Sequence, residues 1–191
     1  MCQIGLATLA IFYFDFRDPA KKDPRNLLSS LLIQLCRQSD SFSQILSSVF
    51  SIHDNGSRQP SEDVLLECLK KSLQLPGQGT LFLIVDALDE CPNVSGYPTP
   101  REQALMVIQD LIDLHLPHVH FCITSRPEID IQEALEPLTS LEISLHERGG
   151  QTQDIANYIT SVVSSVSKMR RWREEVKKLV IKTLINRAGG M

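Results

Sequence analysis

The run Leu81-Phe82-Leu83-Ile84-Val85-Asp86-Ala87-Leu88-Asp89-Glu90 constrains this chain more than any other stretch, because five apolar residues pass without a break into an acidic cluster. A continuous apolar run of this kind reads as a strand buried on both faces, the situation of a strand inside a parallel sheet. The acids then fall at the carboxyl end of that strand, where open α/β sheets bind ligands. An Asp in that place suits a hard divalent cation, held through an ordered water beside a nucleoside triphosphate. Asp86 is the residue so placed. Ala87 keeps the space beside it clear, since a side chain larger than methyl would crowd phosphate and metal. Asp89 and Glu90 follow one turn on, and a carboxylate there can orient or deprotonate an attacking water.

Strand-like and helix-like segments alternate around this run. Leu9 to Phe16 is aromatic and apolar and predicts a strand. Asp23-Pro24 has the form of a helix N-cap with proline in the first turn, and Leu27, Leu28, Leu31, Leu32 and Leu35 continue it at helical spacing to about Gln38. Ser39 to Ser51 predicts a short second helix, and His53 to Pro60, with Asn55-Gly56, a loop. A helix opens at Pro60-Ser61, and Pro76-Gly77-Gln78-Gly79 turns into the acidic strand. Thr99-Pro100-Arg101-Glu102 is a capping box with proline at the first helical position, and Leu105, Ile108, Leu111 and Ile112 then face inward. His118 to Thr124 predicts a further strand, Ile129 to Leu135 a short helix, and Leu138 to Leu145 a short strand. Gly149-Gly150 is expected to break the chain before helices over 154–187 divided near Ser164-Ser165. This alternation specifies an α/β domain with a mainly parallel sheet.

A second polar cluster, Thr124-Ser125-Arg126-Pro127, also ends a buried strand and so belongs on the same sheet edge as Asp86. Arg126 brings a rigid fork of donors suited to a γ-phosphate. His118, His120 and Cys122 share one strand face by period two, but with no matching ligands elsewhere they make a weak zinc site. The absence of G-x-S-x-G argues against a serine hydrolase. The closely spaced acids after a buried strand suit metal and water better than a glycosidase pair.

Charge is unevenly spread over the 191 residues. Residues 1–167 hold eleven basic and twenty-one acidic side chains, whereas 168–187 hold eight basic and two acidic. An acidic body does not suit nucleic acid, and the basic stretch around Trp172 reads as a solvated helix face with Trp172, Val176, Leu179 and Val180 packing inward. No apolar run reaches the roughly 20 residues that span a bilayer. Five scattered cysteines without a C-x-x-C pair indicate reduced thiols, hence a cytoplasmic protein.

Taken together, Phe12-Tyr13-Phe14-Asp15-Phe16-Arg17-Asp18, the Leu83 to Cys91 segment, Phe121 to Pro127 and Asp154-Ile155-Ala156-Asn157-Tyr158-Ile159 resemble the NACHT domain. This is a signalling P-loop NTPase of the STAND class. The nearest flavour is the nephrocystin-type N-terminal region of fungal NACHT–ankyrin and NACHT–WD-repeat proteins. The resemblance implies a three-layer P-loop-type α/β core over 1–148 and the start of a helical domain over 149–191. It implies Asp86 as the Walker B acid on Mg²⁺, with ATP or GTP as the nucleotide. It also implies Asp89 and Glu90 as acids engaged in hydrolysis, and Arg126 as the sensor 1 arginine that reads the γ-phosphate. One departure is decisive for activity: no Gly-Lys dipeptide occurs, so G-x-x-x-x-G-K-[ST] is missing. In the family that loop and its strand lie upstream of the first strand seen here, and winged-helix and repeat regions lie downstream. The expectation is therefore a truncated switch domain, inactive alone, that binds nucleotide only when the missing loop is supplied. Protein partners or self-association are expected, without nucleic acid or membrane. A non-catalytic interaction module is the alternative, and a metal-dependent hydrolase unrelated to P-loop proteins is a third reading.

Overall fold

The computed structural model describes residues 7–52, 57–94, 96–144 and 149–188. Their packing divides into two compact units, Met1–Thr139 and Ser140–Met191.

Unit 1 is built on three parallel strands in the order β1 (Ala7–Tyr13), β2 (Thr80–Asp86), β3 (Val119–Ile123). Parallel neighbours need long crossovers. The first is α1 (Pro24–Cys36), α2 (Asp40–Ile52) and α3 (Glu62–Leu73), the second is α4 (Pro100–Ile112), and α5 (Ile129–Leu135) follows β3. Register sets Leu83 of the central strand between Ala10 and Phe121, and Asp86 beside Tyr13. The α/β class and the parallel sheet are as the alternation of segments predicts.

Helix starts are encoded locally. The Asp23 carboxylate accepts from the Arg25 N–H, and the Ser61 hydroxyl from the Val64 N–H. At α4 the capping box closes in both directions between Thr99 and Glu102. Each cap satisfies N–H groups that a first turn leaves orphaned. The apolar stripes then bury Leu27, Leu28, Leu31, Leu32 and Leu35 of α1, Leu65, Leu69 and Leu73 of α3, and Leu105, Ile108 and Leu111 of α4. All join one core with Ala10, Phe12, Phe14, Leu81, Leu83 and Val85.

That core lies on one side of the sheet. Along β2, Leu81, Leu83 and Val85 are buried, whereas Phe82 and Asp86 are exposed and Thr80 and Ile84 half-buried. The expectation of a strand buried on both faces is therefore corrected. An unbroken apolar run does not reveal which residues receive cover. Here every second one, together with Ile11 and Tyr13 of β1 and His120 and Cys122 of β3, faces outward. Phe82 and His120 stack across this open face with ring centroids 5.2 Å apart.

The free edge of β1 is closed by side chains. Gln34 and Gln38 sit one turn apart on α1. The Gln34 amide donates to the Ile11 carbonyl (2.7 Å) and accepts from the Ile11 N–H (3.0 Å). Gln38 makes the same pair of bonds with Leu9, at 2.7 and 3.1 Å. The two-residue repeat of strand backbone is thus matched by the four-residue repeat of a helix face.

Three further expectations are corrected. β1 ends at Tyr13 rather than Phe16, because Asp15 and Asp18 fold the chain into a turn with the Asp18 N–H on the Asp15 carbonyl (3.1 Å). Residues 139–144 contain no strand: Leu141 and Ile143 are exposed, and alternation without a neighbouring strand makes no ladder; Leu145 lies outside the described residues. Gly149-Gly150 opens a helix instead of breaking the chain. Residues 53–56 of the expected loop also lie outside the described residues.

Unit 2 comprises α6 (Gly149–Ser165), α7 (Ser167–Arg170) and α8 (Glu174–Ala188). The division near Ser164-Ser165 is where the sequence places it. α6 packs on α8, and Val163 is buried. Leu179, expected inward, is exposed, and Trp172 and Val176 are only partly covered. Only the side of α8 that carries Val180, Ile181 and Ile185 is partly covered. No helix among the described residues is long and apolar enough to cross a membrane.

Candidate functional site at the carboxyl edge of the sheet

Asp86, Asp89, Glu90 and Arg126 come together at the carboxyl ends of β2 and β3. β2 ends at Asp86, whose exposed carboxylate accepts the Thr124 hydroxyl proton. The same Thr124 oxygen accepts from the Ala87 N–H at 3.0 Å, and the Thr124 carbonyl accepts from the Leu88 N–H at 3.0 Å. On the other side the Asp86 carbonyl accepts from the Phe14 N–H at 3.0 Å. The end of the strand is thus held by both neighbours.

Ala87 adopts the left-handed conformation, φ 54° and ψ 47°. For a residue with a Cβ this costs about 1–2 kcal/mol. It turns the chain sharply into the 3₁₀ turn Leu88–Glu90. That turn swings Asp89 toward Arg126 and Glu90 toward the loop after β1. A small residue at position 87 therefore meets a backbone demand as well as the steric one read from the sequence.

The Asp89 side chain is only 9% exposed. One of its oxygens accepts from the main-chain N–H of Arg126 (3.1 Å), and the other lies 3.2 Å from Arg126 Nε. Glu90 accepts a long bond, 3.4 Å, from the Phe16 N–H.

Behind this edge stands Arg101, a buried cation that the sequence shows only as part of a capping box. Its Nη2 donates to the Asp89 carbonyl at 2.6 Å and its Nε to the Cys91 carbonyl at 3.0 Å. Its Nη1 pairs with the Asp130 carboxylate at 3.3 Å. Asn93 donates to Asp130 (3.1 Å) and accepts from the Thr99 hydroxyl (3.0 Å), which completes the ring of contacts. Arg101 thus escapes sequence reasoning, which offers no local signal for it, whereas Thr124, placed on this edge by the sequence only as part of the cluster around Arg126, gains its particular role from the bond to Asp86.

Cys91 is buried just after the turn, and burial pushes its thiol up to about 12 from an ordinary 9.0. The folded state favours the protonated thiol. Its contribution to stability is full below about pH 9 and is lost as pH rises from there toward 12. Of Cys91 and Cys122, native protein is therefore expected to lose Cys122 first to iodoacetamide at pH 9, because Cys122 is exposed on the open sheet face, with Cys91 protected until unfolding. Peptide mapping of the alkylated sites checks this; equal labelling of both would contradict the burial.

His118 and His120 do not converge. His118 precedes β3, with Nε2 3.1 Å from the Leu73 carbonyl oxygen, whereas His120 stacks on Phe82.

No curated protein and no solved structure matches this chain. A family description, nephrocystin 3, N-terminal, matches residues 2–126. The matched span takes in all three strands, the acidic turn and Arg126, and covers well over half of the 191 residues. The chain therefore belongs to the nephrocystin 3 N-terminal family.

Proposed function

We propose that this chain is part of a NACHT-type signalling NTPase, a nucleotide-dependent switch. In this reading Asp86 holds Mg²⁺ through water, Arg126 faces the γ-phosphate of ATP or GTP, and Asp89 and Glu90 are the acids of hydrolysis. The observation that carries the reading is the convergence of Asp86 and Arg126 at the carboxyl ends of adjacent parallel strands, joined through Thr124 and Asp89. The Asp86 carboxylate is exposed, and a carboxylate oxygen suits a hard cation. Such a switch works because γ-phosphate contacts exist in only one of two states. Without a Gly-Lys loop the phosphates lack their backbone cradle, so the chain alone turns over neither ATP nor GTP.

Mn²⁺, a paramagnetic substitute for Mg²⁺, tests the site directly. Added with ATP or GTP, it is expected to broaden the amide resonances of Asp86, Ala87 and Thr124 first, and Asp86→Ala is expected to abolish that pattern. Broadening that ignores Asp86→Ala would remove the cation site. Mg²⁺-dependent turnover by the wild type, lost in Asp86→Ala, would instead show that the chain is an enzyme on its own.

The second reading, an interaction module without nucleotide chemistry, is favoured by the outward apolar residues Ile11, Tyr13 and Phe82 on the open sheet face. Parallel sheets are ordinarily covered on both sides. The absence of any Asp86-dependent Mn²⁺ effect would favour it.

A further inference from the structure

We propose that Asp89 is the positioning residue of Arg126, and that it leaves the outer end of the guanidinium as a fixed fork for a phosphate-type oxyanion. The inference rests on the reading of Arg126 as the phosphate-facing arginine and divides the work of the two acids within it.

Asp89 uses both oxygens on one residue. Oδ1 accepts from the Arg126 main-chain N–H, and Oδ2 forms an ion pair with Nε at 3.2 Å. The hydrogen bond fixes where the side chain leaves the backbone; the ion pair draws the inner end of the guanidinium toward the carboxylate. Nε is the inner donor of a guanidinium that carries five N–H groups. The ion pair through Nε leaves Nη1 and Nη2 with all four of their protons, and among the described residues no bond from either is found. The Arg126 side chain is 77% exposed although the carboxylate that holds it is almost buried. A buried anion thus grips the inner edge of an arginine whose outer edge faces solvent. This is the arrangement a bidentate oxyanion contact needs, and it lowers the ordering cost of binding.

Asp89 is itself anchored from the core. Its carbonyl takes the short bond from Arg101, whose Nε and Nη1 are engaged with Cys91 and Asp130. A chain of contacts therefore runs from the buried face of α4 through the acidic turn to the sheet edge. An Asp89 committed in this way is poorly placed to take a proton from water. Glu90, which among the described residues accepts the long Phe16 bond alone, is the acid of the two that is left for that work.

The Arg126 Nε–H resonance, assigned by its loss in Arg126→Lys, reads the proposal in the ligand-free protein. A slow-exchanging Nε–H signal is expected in the wild type, weakened in Asp89→Asn, which keeps one acceptor, and lost in Asp89→Ala, with β2 amide resonances unchanged. Inorganic pyrophosphate, the probe for the oxyanion, is expected to shift this signal in the wild type. In Asp89→Ala the pyrophosphate-induced shift of the Arg126 main-chain amide is expected to disappear. An Nε–H signal equally sharp in Asp89→Ala would overturn the positioning role. No response to pyrophosphate in the wild type, or an undiminished one in Asp89→Ala, would overturn the fork. The exchange measurement uses no ligand or metal, so its failure is distinct from failure of the cation site, which appears only as Mn²⁺ broadening indifferent to Asp86→Ala.

Discussion

Replacing Arg101 by Met is expected to destabilise unit 1 by about 3 kcal/mol, because two carbonyls and a carboxylate lose their donor together while the apolar stem is kept. The side chain is buried, and Nη2, Nε and Nη1 each have a separate partner. Asp130 is about one-third exposed, so water recovers part of the loss at that carboxylate. The carbonyls of Asp89 and Cys91 have less access to that remedy. Arg101→Lys is expected to recover only a fraction, since an ammonium is a point charge and cannot bridge three diverging acceptors. Hydrogen exchange of the β2 amides is the right measure, because the one tryptophan, Trp172, lies in unit 2 and reports on the wrong unit. A change below about 0.5 kcal/mol, the range of ordinary surface substitutions, would mean that the cluster does not hold the acidic turn.

Removing both glutamine clamps is expected to have the next largest effect, on association as much as on stability. In Gln34→Ala/Gln38→Ala the N–H and C=O groups of Leu9 and Ile11 lose four hydrogen bonds. They lie at an exposed edge where water replaces part of what is lost, so a cost of about 2 kcal/mol is expected. The larger consequence is that an apolar strand, with Ile11 and Tyr13 already outward, gains an unpaired edge, the template from which strand-to-strand aggregation starts. Light scattering during slow heating is expected to rise well before that of the wild type, with each single variant intermediate. A double variant as soluble as the wild type would show that the amides are incidental to edge protection.

What could be read from the sequence and what could not divide along the range of the interaction. The caps at Asp23, Ser61 and Thr99 are contacts between residues two or three apart, and the helices start where those residues say. Leu27 to Leu35 bury as their spacing requires. The acidic turn and Arg126 were visible because each ends an apolar segment, and the parallel order of β2 and β3 brings them to one edge. Arg101 was invisible because its partners lie 10, 12 and 29 residues away, and its local setting already explained it as part of a helix start. The one-sided burial of β2 was misread because hydrophobicity reports what a side chain tolerates, not what covers it. Leu138 to Leu145 failed as a strand for the complementary reason: alternation is a property of one segment, and a ladder needs two.

The hydroxyl of Thr124 limits what Asp86 can offer. A hydroxyl has a single proton, and here it is spent on Asp86 Oδ1, while the oxygen that carries it takes the Ala87 N–H. Among the described residues, the other carboxylate oxygen, Oδ2, has no protein donor. A six-coordinate ion held through water at this edge would therefore hang on a single carboxylate oxygen and would fill its corners with water and whatever anion it arrives with. Such a centre has no strong hold on a bare cation and gains its occupancy with its anion, so the ion and the anion would enter and leave as one unit.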